Sequence, residues 1–321
     1  MFDILLSGTT QGLIWGLLAL GFYIAFRILD FADMTCEGSI TLGASVTALC
    51  IWSGVNSFLA LPIAFISGCV AGVVTGLLHT KLKIPPILSG ILTMSALYSI
   101  NIHVMSAATG NGGTANVSLL NFSNNTIFSI IKNIIPLSKS QVALIFGALL
   151  TVGLISALYW FFGTELGCAI RATGNNEKMC RAQGINTDST KIVGLALANG
   201  LIALAGAMLC QYQGYSDVKM GVGSIVIGLA SIIIGEAIFS KAKSFYVRLV
   251  GIVVGSIIYR VIVALVIFSG MPADDLKLMT AVVVVVALAF TNYRPQITRC
   301  FSNAWARVTG LFSKKEKGDK N

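Results

Sequence analysis

Thirteen residues that follow the first long apolar run hold most of the charge in this part of the chain: Arg27-Ile-Leu-Asp30-Phe-Ala-Asp33-Met-Thr-Cys-Glu37-Gly38-Ser39. A charge in hydrocarbon costs about 3 kcal/mol or more, so these groups must meet water, protein or each other. For Arg27, Asp30 and Asp33 the spacing suits a tight turn in which the arginine pairs with one of the two aspartates. Glu37 lies deeper, where a broken second helix lining a polar pathway accounts for it better. Arg260, in Ser256-Ile-Ile-Tyr-Arg-Val-Ile, falls about twelve residues into another apolar run, close to mid-depth by helical rise. It either meets an anionic group of a ligand or holds two helices together through an acid. Asn101, His103 and Glu236 are softer candidates, and Glu236 stands close to Lys241 and Lys243, which suits a local ion pair.

No catalytic constellation accompanies these charges. Seven cysteines (36, 50, 69, 168, 180, 210 and 300) make an odd number without CxxC spacing, and in apolar segments they act as small hydrophobes. His79 and His103 lie apart, with no carboxylate or cysteine at ligand spacing, so no metal site and no catalytic residue is expected. The chain also lacks GxxxxGK[ST], so ATP and Mg are not expected as cofactors held by this chain.

A second polar concentration is the stretch 165–191, ELGCAIRATGNNEKMCRAQGINTDSTK, flanked on both sides by segments long enough to cross a bilayer. It reads as short helix, glycine break, short helix, with Gly167, Gly174 and Gly184 as punctuation and the pair at 175 and 176 as a cap. Such a loop is either a solvated connector or a docking element.

The elements that position these residues are membrane spans. The 321 residues are 55% hydrophobic and 11% charged, with a mean hydropathy of +0.84. Soluble domains are near a quarter charged, so this is an all-α integral membrane protein. About nine spans (8–10) are expected, at 5–27, 35–54, 58–80, 84–106, 141–162, 191–212, 222–239, 245–268 and 276–292. The first has no basic residue ahead of it and is long enough to remain as a span. With the N-terminus outside, the inner side collects Arg27; Lys81 and Lys83; Arg171, Lys178, Arg181 and Lys191; Lys241, Lys243 and Arg248; and the seven basic residues of the tail. That is 17 of the 22 basic residues. The positive-inside rule therefore orients the chain N-out and C-in. The net charge of +9 reflects this orientation, and no nucleic-acid partner is expected.

These boundaries divide the chain into one transmembrane domain, 1–293, and a basic cytoplasmic tail, 294–321. Within the domain, 163–191 is a cytoplasmic loop and 107–140 an extracellular one. The latter opens on Gly110, Gly112 and Gly113 and holds an apolar run, 127–135, too short to span. An internal echo is also visible. Gln11-Gly12-Leu13-Ile14 matches Asn199-Gly200-Leu201-Ile202, and Gly38-Ser39-Ile40-x-x-Gly43 matches Gly223-Ser224-Ile225-x-x-Gly228. The similar offsets map spans 1–4 onto 6–9, and the odd fifth span inverts the second copy, as in transporters built from inverted repeats.

Several motifs carry a family resemblance. The loop's Gly167-x-x-x-Arg171-Ala172-x-Gly174-x-Asn176, then Ala182-x-Gly184-Ile185-Asn186, resembles the cytoplasmic signature of ABC-importer permeases of the branched-chain amino acid/ribose type. Ala203-Leu-Ala-Gly206-Ala207 and the front end from Phe26 to Gly43 fit as well, and the resemblance runs to about Arg294. Together with Leu77-Leu-His79-Thr-Lys81-Leu-Lys83 and Thr93-Met94-Ser-Ala-Leu-Tyr98-Ser-Ile-Asn101, these motifs are most similar to the tryptophan/tyrosine import branch. Glu37 stands where Asp is expected in relatives, which leaves the role of that region open.

The resemblance implies a type II ABC importer permease fold in a bacterial inner membrane. It also implies a second copy of the chain, two ATPase subunits below and a solute-binding protein above. The loop would be the ATPase-coupling element, with Glu165, Gly167, Arg171, Gly174, Asn176, Arg181 and Gly184 as its contact and hinge positions. The solute would pass between spans two, four and seven, lined by Glu37, Ser39, Thr41, Thr93, Tyr98 and Asn101. An amino acid is expected, aromatic first, with branched-chain amino acids, nucleosides and sugars behind it. A stand-alone secondary transporter or channel is the main rival.

Overall fold

A computed structural model describes residues 2–110, 112–134, 138–239, 244–268, 278 and 280–285. Eleven named helices organise them, in chain order. They are α1 (Phe2–Phe22), α2 (Cys36–Trp52), α3 (Ser57–Thr80), α4 (Pro86–Thr109), α5 (Ile127–Ile134), α6 (Lys139–Phe161), α7 (Glu165–Asn175), α8 (Glu177–Ala182), α9 (Thr187–Gln213), α10 (Ser224–Ile238) and α11 (Phe245–Phe268). Among the described residues, seven segments are long and apolar enough to cross a membrane, and α2 is a shorter apolar helix of 17 residues. The ninth expected span falls mostly outside the described residues, as does the basic tail.

The helix starts follow local chemistry. Asn56 caps α3 through the Phe58 amide, and Pro86 opens α4, where a missing N–H costs nothing. Ser138 and Gln141 form a reciprocal capping box on α6. α1 runs into a π-helical turn, Tyr23–Ile28, and the chain then stays non-helical until α2 begins.

The architecture is all-helical, as expected from the sequence, apart from one short ladder. A short antiparallel ladder joins β1 (Asn116–Ser118) to β2 (Tyr215–Asp217), with Val117 opposite Ser216. It ties the loop after α4 to the end of α9, so those two helix ends share one face of the protein. On the same face α5 is pinned by the Ile127 amide donating to Gln211 Oε1 at 3.0 Å, with Phe128 buried between Phe146 and Tyr212.

α1, α2 and α9 form the centre, and α3, α4, α6, α10 and α11 surround them with an apolar outer face. Lipid is as apolar as leucine, so helices in a membrane gain most by close backbone approach. The α2–α9 crossing shows this: a methyl added to Gly43 would lie 1.9 Å from the Ala203 carbonyl oxygen, and one added to Gly206 would lie 2.0 Å from that of Ile40. Two further contacts mirror one another. Gly12 of α1 presses on the Ile257 backbone of α11, while Gly200 of α9 presses on Cys69 and Phe65 of α3.

Candidate functional site

Two regions collect the polar residues singled out above: the α7–α8 element on one face, and a cavity where α2 and α10 begin.

In the first region Thr164 caps α7 by accepting from the Gly167 amide at 3.3 Å, and Asn176 caps α8 by accepting from the Met179 amide at 3.0 Å. The expected glycine break is an asparagine break, since Gly167 and Gly174 both lie within α7. Only Gly184 serves as a turn, at φ +80°. The other two glycines permit contact. A methyl at Gly174 would sit 1.9 Å from the Ile28 carbonyl oxygen, and one at Gly167 would collide with the Phe161–Phe162 backbone. α7 is thus wedged against the exits of α1 and α6.

Arg181 braces the element internally. Its Nε donates to Thr187 Oγ1 at 2.7 Å, and one terminal nitrogen donates to Glu177 Oε1 at 2.9 Å and to Asp188 Oδ1 at 3.0 Å. Lys191 Nζ donates to Glu177 Oε2 at 2.8 Å and approaches His79 Nε2 at 3.4 Å. The Lys191 hydrogen bond, helped by the charges of Lys191 and Arg181, holds the Glu177 carboxyl below its ordinary 4.5 against a smaller opposing effect of burial. The Thr173 and Thr190 hydroxyls, 2.9 Å apart, join α7 to α9. Arg171 turns away from α8 and lies over the Phe245 ring, 5.0 Å from its centroid. Glu165, in the first turn of α7, complements the positive end of that helix.

The second region is a cavity of about 330 Å³ lined by Glu37, Gly38, Thr41, Met94, Ser95, Tyr98, Asn101, Val218 and Val222. Four of the six residues expected to line a pathway meet there. Glu37 Oε1 accepts from the Gly223 amide at 2.9 Å, which sets the start of α2 against the start of α10. Among the described residues its second oxygen has no hydrogen-bond partner. Asn101 belongs to the wall: its amide donates to the Gly38 carbonyl at 3.2 Å and its oxygen accepts from Ser45 at 3.4 Å.

Ser39 and Thr93 do not line this cavity. Ser39 is fully buried and donates to Asn199 Oδ1 at 2.6 Å, while Thr93 returns its hydroxyl to the Ser89 carbonyl. Met94, Ser95, Val218 and Val222 were missed. Met94 could have been found, because it precedes Tyr98 by four positions and Asn101 by seven, on one helical stripe.

The charge cluster pairs differently from expectation. Arg27 Nε donates to Glu236 Oε1 at 2.9 Å, and among the described residues neither Asp30 nor Asp33 pairs with it; Lys241 and Lys243, expected beside Glu236, lie outside the described residues. Asp30 takes a left-handed backbone at φ +52°. Asp33 is fully buried and accepts from the Thr35 amide at 2.9 Å and from Asn199 Nδ2 at 2.6 Å. Non-helical backbone is tolerated at this depth because protein groups satisfy it. Arg260 meets no acid among the described residues; its guanidinium covers the Trp15 ring at 4.1 Å, joining α11 to α1. His103 Nδ1 lies 2.8 Å from the Ser99 carbonyl on an exposed face.

Comparisons with known proteins follow this geometry. The family model described as branched-chain amino acid transport system / permease component matches residues 4–289. The chain is 41% identical over 289 residues to the tyrosine transport system permease protein of Clostridioides difficile (strain R20291), covering 90% of this chain and 91% of that one. It is 27% identical over 175 residues to the ribose import permease protein RbsC of Escherichia coli (strain K12), which covers 54% of this chain and 51% of the relative. An inward-facing metal-chelate type ABC transporter superposes with a TM-score of 0.47 at 14% identity, covering 91% of this chain and 85% of that one.

Proposed function

The chain belongs to the branched-chain amino acid transport system permease family, and on that premise we propose that it passes an amino acid, aromatic by preference, through the cavity beside Glu37. It is the permease subunit of an ABC importer and a multi-pass protein of the bacterial cell membrane. The family implies an ATPase and a solute-binding protein as partners. In this reading ATP and Mg stay on two copies of the ATPase, and two copies of the chain form the pore.

The observation that carries the substrate reading is the half-used carboxylate of Glu37 in an otherwise mostly apolar cavity with Tyr98 at its rim. One oxygen holds the Gly223 amide; the other is placed to take the ammonium of an amino acid. The tyrosine ring and Met94 offer a surface to an aromatic side chain. The relative from Clostridioides difficile, named for tyrosine transport, supports the same class.

The topology in this reading is nine spans, N-out and C-in, with a type II permease fold and an inverted repeat of spans 1–4 and 6–9. The repeat is supported by its contacts: the Gly12–Ile257 and Gly200–Cys69 approaches pair positions separated by the same offset as the sequence echo. The facing starts of α2 and α10 suit discontinuous helices that meet within the bilayer. The α7–α8 element couples to the ATPase. Gly167 and Gly174 seat it, Glu165, Asn176 and Gly184 shape it, Arg171 anchors it to α11, and Arg181 stiffens it. The exposed Lys178 and Met179 of α8 face the partner. A rigid element is required because nucleotide-driven closure of the ATPases has to tilt helices.

The test is uptake by the full complex in proteoliposomes. Labelled tyrosine or tryptophan should accumulate only with internal ATP and binding protein, ahead of leucine and ribose. Glu37→Ala should abolish uptake while assembly persists. Uptake by this chain alone, driven by an ion gradient, would overturn the reading.

A further inference from the structure

We infer that the groove on either side of Arg171 is a binding site for an anionic membrane phospholipid, clamped between α7, α11 and the π-helical exit of α1. Two cavities share the Arg171–Phe245 pair as their common wall. One, of about 400 Å³, is walled by three arginines, Arg27, Arg171 and Arg248, with Asn175 and Tyr23 beside them. The other, of about 610 Å³, is walled by Tyr159, Trp160, Phe162 and Phe245. A polar, cationic chamber and an aromatic trough therefore adjoin across one cation–π contact.

The charge balance favours an anion. Asp30 is the only carboxylate among the residues lining the polar chamber. Arg27 is engaged by Glu236, whereas Arg171 makes no ion pair among the described residues. A guanidinium over an aromatic ring keeps its donors at the ring edge, where a phosphate can accept two of them.

The depth favours a lipid over a free ion. α6 ends at Phe161 and α11 begins at Phe245, so the groove lies where spans leave the bilayer. Trp160 is 74% exposed, and Tyr159 stacks edge-on with Tyr246 at 5.9 Å. Amphipathic aromatic rings of this kind belong at the headgroup level. A headgroup phosphate in the arginine chamber would direct its acyl chains along the Trp160 trough. Basic pockets between spans on the cytoplasmic side bind anionic headgroups in this way. The site goes beyond the transport reading and rests only on its N-out, C-in orientation, which puts these span ends on the cytoplasmic side.

The experiment is native mass spectrometry of the delipidated full-length chain, titrated with dioleoyl phosphatidylglycerol or dioleoyl phosphatidylcholine. Phosphatidylglycerol should bind preferentially, and Arg171→Gln should reduce that preference about five-fold. Arg171→Lys, which keeps the charge but not the two-donor fork, should fall between the parent and Arg171→Gln, which separates lost charge from lost structure. Lys178→Gln, on the exposed side of α8, should leave it unchanged. Trp160→Ala should weaken both lipids alike. Equal binding of the two lipids, or an equal loss of preference in Arg171→Gln and Lys178→Gln, would overturn the site. Displacement of phosphatidylglycerol by millimolar inorganic phosphate, with no effect of Trp160→Ala, would make it a simple anion pocket and overturn the lipid assignment.

Discussion

Asn199, roughly midway along α9, donates from Nδ2 to Asp33 Oδ2 at 2.6 Å while its Oδ1 accepts from Ser39 Oγ at the same distance. One amide thus holds the non-helical link between α1 and α2 to the central helix. All three side chains are fully buried. Asn199→Ala removes a donor from a buried carboxylate and is expected to cost about 1–3 kcal/mol. Asn199→Asp, which sets two carboxyls against each other, should cost more. Thermal unfolding of the detergent-solubilised chain checks the order, and an Asn199→Asp protein as stable as the parent would refute the network.

Gly174 and Gly184 should separate contact from strain. Gly174→Ala forces α7 away from Ile28, so binding-protein-stimulated ATPase activity of the complex should fall sharply. Gly184 has open space around it, and Gly184→Ala meets only the left-handed backbone, at about 1–2 kcal/mol. If the two variants uncouple equally, the wedge at Ile28 is not what transmits motion.

Glu177 makes the element acid-sensitive. Its carboxyl titrates below the ordinary 4.5 in the folded chain, so its stabilising effect is complete above that value and disappears as pH falls through the lower, folded pKa. Amide exchange of α8 and the start of α9 should stay slow down to about pH 5 and speed up in more acid solution. Glu177→Gln should flatten the profile. Acceleration on the alkaline side of neutrality would contradict the assignment.

Arg181→Lys tests the fork. A lysine keeps the charge but cannot reach Thr187, Glu177 and Asp188 together. Exchange protection of α8 should drop in Arg181→Lys nearly as much as in Arg181→Gln. Full protection in the lysine variant would reduce the brace to simple charge neutralisation.

Glu37→Gln is the gentle counterpart of Glu37→Ala. The amide oxygen can still accept from Gly223, so thermal stability should hold. Without the negative charge, apparent affinity for a zwitterionic amino acid should weaken by about ten-fold or more, a charged hydrogen bond being worth about 1.5–3 kcal/mol. Unchanged uptake kinetics would remove Glu37 from the pathway.

Local rules were enough for much of this chain. Composition alone makes it a membrane protein, and the polar stretch 165–191 reads as two short helices because caps such as Asn176 act through bonds to residues three positions away. The family signature lies in the same local motifs. Partner choice for the inner charges was not legible. Arg27 finds Glu236 across 209 positions and Asp33 finds Asn199 across 166, at distances that depend on how closely glycines such as Gly43 and Gly206 let α2 and α9 approach. The same packing turns Ser39 toward Asn199, keeps Thr93 out of the cavity and lays Arg260 on Trp15. A sequence lists which side chains need partners in a low-dielectric interior; only the crossing of the helices decides which of them come within reach.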